Sequence, residues 1–232
     1  MSLAAAVQKH RDSVLAELAA VHDYYANTKR AWRIVQGMVS RRGRFSAFNA
    51  ATGNRTTEQD LPQKAQLYVA DYLAGATFQQ FVSLFEDFTF GILQCWLLAY
   101  PQRLGRKQIP ASIVLGAADL DEVKLAIVNR ELNEIKYRNV RDWFAEMGQV
   151  VKLGCPTDDE IERLAEIKAS RDVLVRNRGV ANAIYEEKSA GRKRFSTGQK
   201  LEIPETYHRE SWELIRKVVG DVSTAALGKA PN

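Results

Sequence analysis

The stretch TDDEIERLAEIKASRDVLVRNRG, residues 157–179, decides how this chain folds. Thr157 and Glu160 stand at capping-box spacing, and Asp158 and Asp159 place negative charge in the first turn, where a helix dipole favours it. Ile161, Leu164, Ile167, Leu174 and Val175 follow at intervals of three, four or seven, the period of a helix with one buried face. At the far end, Asn177 and Gly179 are both residue types that adopt the left-handed conformation with which helices stop. Arg171 falls on the apolar stripe, seven after Leu164, four after Ile167 and four before Val175. Such an arginine either packs its stem at the edge of the core with its head in water, or its head meets a buried acid.

Upstream, FVSLFEDFTFGILQCWLLAYP, residues 81–101, continues a helical pattern in which Phe78, Phe81, Phe85, Ile92 and Trp96 mark a buried face and Pro101 ends the run. The spacing predicts the central helix of the core. Glu86 lies one turn after Val82 and one turn before Phe90, so it sits either on the wet rim or close to apolar surface, where it needs a cation. Glu86 is therefore the candidate partner for Arg171.

The remaining segments are also helical in pattern. Residues 3–39 carry Val7, Val14, Leu18, Val21, Tyr25, Trp32 and Val35 at helical intervals, and two further helices are predicted near 119–135 and 140–151. Residues 205–227 form the last helix, with Trp212, Ile215, Val218, Val219 and Val222 inward, and residues 228–232 are a frayed tail. Between the first two helices, about 41–62 reads as an exposed loop. It interleaves Arg41, Arg42, Arg44 and Arg55 with Phe45 and Phe48, which is either a solvated loop or a surface able to hold phosphates and stack bases. Residues 186–203 carry glycines, a basic run and the alternating Leu201 and Ile203, the mark of a short extended or hairpin-like insertion. The expectation is an all-α helical bundle, one domain over 1–227, with core helices from 63 onward.

Composition narrows the function classes. The chain has 232 residues, 46% of them hydrophobic, enough to bury a sizeable core. A net charge of +5 permits a polyanionic partner without requiring one. Two cysteines, Cys95 and Cys155, and three histidines provide neither a disulfide framework nor a ligand cluster, so no metal or cofactor is expected. The run FGILQCWLLAY is too short to span a bilayer and the N-terminus lacks a secretory pattern, so a cytoplasmic protein is expected.

Taken together, SRDVLVRNRGVANAIY, GRKRFSTGQKLEI, the final amphipathic helix and the acidic helix around Glu86 resemble the HEPN superfamily, in its RiboL-PSP-HEPN type. The likeness covers about two thirds of the chain, from 78 to 227. Arg171 takes the family's motif arginine, Asp172 its polar residue, Asn177 its asparagine and Gly179 its glycine, while Arg176 stands where the family has histidine. The resemblance implies a helical bundle of HEPN type, a homodimer with two motifs facing each other, and metal-independent RNA cleavage in which the histidine moves protons. Arginine cannot take that role, because a group with a pKa above about 12 offers no base at neutral pH.

The expected function is therefore RNA or nucleotide binding by Arg171, Arg176, Asn177 and Arg178, supported by Glu86, Asp172 and Gly179, without cleavage. The resemblance sets this in a bacterial defence or toxin-antitoxin context, with a protein partner or antitoxin as a further expectation. Two alternatives stand beside it: an active endoribonuclease rescued by another base, for which His208 is the candidate, and a helical protein-interaction module. The second is favoured if all three arginines are paired with acids. Arg176 itself has a plain reading as the i+4 partner of Asp172 at a helix C-terminus.

Overall fold

Five phenylalanines within one helix set the axis of the protein. The structure, a computed structural model, describes residues 2–40, 48–55, 60–104 and 108–230. Its elements are α1 (Leu3–Ser40), α2 (Leu61–Gln66), a π-helical stretch (Leu67–Leu73), α3 (Ala74–Ala99), a 3-10 turn (Pro101–Leu104), α4 (Ala111–Gly116), α5 (Leu120–Lys136), α6 (Val140–Val150), α7 (Asp158–Arg176), α8 (Ala183–Lys188) and α9 (Glu205–Leu227). Among the described residues there is no strand, only isolated antiparallel bridges at Phe48–Arg55 and Val180–Lys200. The protein is all-α.

In α3, Phe78, Phe81, Phe85, Phe88 and Phe90 are all buried, and α1, α5, α6, α7 and α9 pack around them. Each filled aromatic site removes on the order of 150–250 Å² from water, which makes this helix the largest contributor to the core. Leu61–Ala99 is long and apolar enough to cross a membrane by length and composition, more than the run FGILQCWLLAY alone indicates, but 56% of its most apolar window is buried inside the protein. The phenylalanines that give the helix its hydropathy are covered by its own neighbours.

α1 splits at Tyr25. Val7, Val14, Leu18 and Tyr25 enter the core, whereas Trp32 and Val35 are only half-buried, and Trp32 meets Tyr68 edge-on at 5.6 Å. Past Tyr25 the helix keeps an ion pair from Lys29 to Glu205 at the start of α9 and runs beside α2 and the π-helical stretch.

α7 begins as its sequence dictates. Thr157 Oγ1 accepts from Glu160 N at 3.3 Å, and Glu160 Oε2 accepts from Thr157 N at 2.8 Å, closing both halves of the capping box. Its burial is wider than one stripe, since residues 164–170 are all buried, including Glu166, Lys168 and Ser170. Val175 is 55% exposed, against the inward position expected for it, and Val173 is buried instead, in a second small core with Ala169, Ala181, Tyr185 and Leu201.

The extended piece before α9 is present, and its pairing partner lies outside the segment. Leu201 N donates to Gly179 O at 2.7 Å and Ala181 N to Gln199 O at 2.8 Å, so residues 198–201 pair with the strip just after α7 and α8 rides on the connecting arm. Residues 41–47, including Arg41, Arg42, Arg44 and Phe45, lie outside the described residues. Phe48 and Arg55 bracket a turn in which Asn49 Oδ1 accepts from Ala51 N and Thr52 N, with Phe48 68% exposed.

Candidate functional site

An open groove of about 730 Å³ runs along the bundle, with α3 as its floor and α5 and α7 as its walls. Glu86, Asp87, Phe90, Gly91 and Gln94 face it from the floor. Asn129, Asn133, Lys136 and Tyr137 line the α5 side, and Lys168, Arg171 and Arg176 the α7 side. Helical spacing places these sets: the α5 residues recur at i, i+4, i+7 and i+8 on one face.

The α7 wall carries a closed ionic quartet. Arg171 donates through NH2 to Glu86 Oε2 at 3.1 Å and to Ser83 Oγ at 3.2 Å, and through NH1 to Asp172 Oδ1 at 3.0 Å. Lys168 Nζ lies 2.6 Å from Asp172 Oδ2, 3.7 Å from Glu86 Oε1 and 5.5 Å from the centre of the buried Trp143 ring. Two acids and two bases therefore cancel inside one cluster. Arg171 takes the second of its two expected roles, its head meeting the acid. Burial works to raise the Asp172 carboxyl, but the Lys168 and Arg171 cations outweigh it and hold that group below the usual carboxylate range.

Arg176 is differently placed. The expected i+4 pair with Asp172 does not form, because Asp172 is already occupied by Lys168 and Arg171. Arg176 is exposed in the last turn of α7, lines the groove, and has no acid within ion-pair distance among the described residues. It also borders a small cavity of about 150 Å³ on its other side, with Asn177 and Asn182.

The structure does not gather all the expected binding residues. Arg178 is exposed after the helix end and is not part of the groove. The left-handed positions are Arg178 (φ 52°) and Gly179 (φ 77°), whereas Asn177 keeps φ −127°. Gly179 N donates back to Val173 O at 3.1 Å, and Asn177 Nδ2 to Val180 O. Asn177 and Gly179 thus shape the helix stop, and the Asn177 amide is spent on backbone.

His208 lies in the core and is no part of the groove. It is fully buried, stacked on Tyr25 at 3.9 Å and packed against Phe81 at 4.9 Å. Thr77 Oγ1 donates to Leu73 O, so its oxygen accepts from His208 Nε2–H at 2.8 Å, and the buried Nδ1 is left without a partner among the described residues. Burial, and secondarily His22, lower its pKa to about 4. A sealed, neutral imidazole cannot exchange protons with a ligand in the groove.

Sequence spacing also missed a second polar centre at Glu166. This buried carboxylate accepts from Ser170 Oγ at 2.7 Å, Tyr185 OH at 2.9 Å and Tyr207 OH at 2.7 Å, with Arg194 Nε at 3.5 Å. Burial and the neighbouring Glu166 charge raise both phenols, Tyr207 more strongly, so both remain donors. The basic run follows the same pattern: Arg192 pairs with Asp159 and Glu162, Lys193 with Glu186, and Arg194 lies 3.3 Å from the Tyr207 ring centre. Those cations fasten the 189–203 segment to α7 and α8. The only sequence signal was the density of acids in α7, which fails to say which base each one meets.

The groove thus brings cations from both walls together with three amides and two aromatic rings along its floor and α5 wall. Gln94 Nε2 donates to Asn129 Oδ1 at 2.7 Å, while the Asn133 side chain makes no hydrogen bond among the described residues, and Tyr137 is 82% exposed at the rim. Among the described residues no group of three or more His, Cys, Asp or Glu side chains is placed to hold a metal ion. No protein family, curated protein or solved structure matches the chain.

Proposed function

We propose that the groove between α5 and α7 binds RNA or a nucleotide and does not cleave it, in the bacterial defence or toxin-antitoxin setting that the HEPN resemblance implies for a cytoplasmic protein. The observation that carries this reading is Arg176: a permanently charged fork, without an acid partner among the described residues, at the mouth of a groove of ligand size. Lys136 supplies a second cation from the opposite wall. Arg171 contributes less than its motif position implies, since NH1 and NH2 each already donate to an acid. No histidine is among the described residues that line the groove, so the usual carrier of a 2′-hydroxyl proton is missing there, and a homodimer with two motifs facing would double the grip without adding one.

Binding of a labelled single-stranded RNA at low salt tests this. The wild type should bind with strong salt dependence, Arg176→Ala should weaken binding, and no fragments should form between pH 5 and 9. Fragments ending in cyclic phosphate would favour the endoribonuclease alternative, and absence of binding at low salt would remove the proposal. A second reading, a protein-interaction module, draws on the exposed apolar side chains of residues 109–125: Leu115 is 85% exposed, Leu120 67% and Val114 52%. Association of two copies, or capture of a protein partner, without RNA binding would favour it.

A further inference from the structure

The α5 wall carries side chains that phosphate binding does not require. Asn133 and Tyr137 are one helical turn apart, which brings their side chains side by side at about 5–6 Å. Asn133 has an amide with no hydrogen-bond partner among the described residues, so both its donor and its acceptor remain open. Tyr137 keeps most of its ring in water, where an aromatic of that size at a groove rim serves as a stacking surface. Asn129 and Gln94 are coupled to each other, which leaves the Asn129 amide N–H and the Gln94 carbonyl available farther in. The cations Lys136 and Arg176 line the same groove and are distinct from these groups.

Resting on the reading above, we propose that the α5 wall is a nucleobase subsite: Tyr137 stacks the base, the Asn133 amide reads its edge, and Arg176 and Lys136 take the adjoining phosphate. An amide offers a donor and an acceptor side by side, the complement of a base edge that does the same, such as the adenine amino group with its ring nitrogen or the uracil N3–H with its carbonyl. A base with its phosphate occurs both as a free nucleotide and within single-stranded RNA, and the groove chemistry is the same for the two.

The test measures binding of four probes to the full chain: adenosine 5′-monophosphate, ribose 5-phosphate, a labelled pentaadenylate and an abasic ribose-phosphate oligomer of equal length. Either base-containing probe should bind about tenfold or more tightly than its base-free counterpart. Preference confined to the mononucleotide identifies a free nucleotide as the ligand, and preference confined to the oligomer identifies RNA; both support the subsite. Tyr137→Ala should remove most of the preference, and Asn133→Ala should reduce it by about fivefold, with unchanged thermal melts because both residues are exposed. Equal binding of the base-containing and base-free probe within both pairs overturns the subsite while leaving the RNA-binding proposal intact. Failure of all four probes to bind at low salt overturns both.

Discussion

Arg171 on α7 donates to Glu86 on α3 at 3.1 Å, so the motif arginine is a cross-brace between two core helices before it is anything else. Ser83 and Asp172 accept two more of its N–H groups, and Lys168 joins the two acids.

Removing one side of that brace leaves a charge in a site about four-fifths covered. Arg171→Ala and Glu86→Ala should each lower unfolding stability by about 1–3 kcal/mol, read from urea midpoints with unchanged slopes. A double-mutant cycle should return a coupling of about 1 kcal/mol. Additive losses would show that the two side chains do not interact in solution.

Arg176 should behave oppositely. Because it holds no acid among the described residues, Arg176→Gln should change stability by less than about 0.5 kcal/mol while reducing RNA affinity. The slope of log affinity against log salt should fall by roughly one unit for the lost phosphate contact. A large drop in melting temperature would assign Arg176 a structural role.

Glu166 holds its place through Tyr185, Tyr207 and Ser170. Tyr207→Phe keeps the ring and removes one donor to a buried carboxylate, so it should cost about 1–3 kcal/mol in chemical denaturation. Tyr137→Phe, altering an exposed hydroxyl, should be neutral by the same measurement.

His208 sets a pH dependence. Its folded pKa of about 4 lies below the ordinary 6.5, so the unfolded chain binds more protons between these values and stability falls as pH is lowered through that window. The full contribution, on the order of 3 kcal/mol, is present above pH 6.5 and lost by about pH 4. Asp172, whose pKa is depressed, contributes in turn above the unfolded carboxylate range and loses that contribution as pH falls through its folded pKa. Thermal melts from pH 8 to 4 should decline for the wild type and be flatter for His208→Gln; identical curves would show that another group governs the acid limb.

Local chemistry explains why much of the fold was legible. The capping box at Thr157, the glycine stop at 179 and the apolar period of the last helix are all settled within a few residues of chain, and the observed bounds of α7 and α9 follow them. The Arg171–Glu86 pair was open to reading because each residue broke the apolar pattern of its own helix. Lys168 and Glu166 were not legible, since the stripe rule treats one face as buried and α7 is covered nearly all round from 164 to 170. Nor did a histidine at the start of a helix reveal that Tyr25 from α1 and Thr77 from α3 would close over it. The α5 wall escaped notice because asparagine and tyrosine on a helix surface carry no periodic signal.

The π-helical stretch Leu67–Leu73 has a consequence for the rod that contains it. One residue more per hydrogen-bonded turn shifts the angular phase of everything beyond it, so Leu61 and Ala65 can bury themselves beside α1 while Phe78 and Phe81 aim into the bundle from the same continuous helix. Shortening the segment 67–73 by a single residue should rotate the preceding turns by about 100° and turn Tyr68 away from Trp32, with the phenylalanine register left as it is.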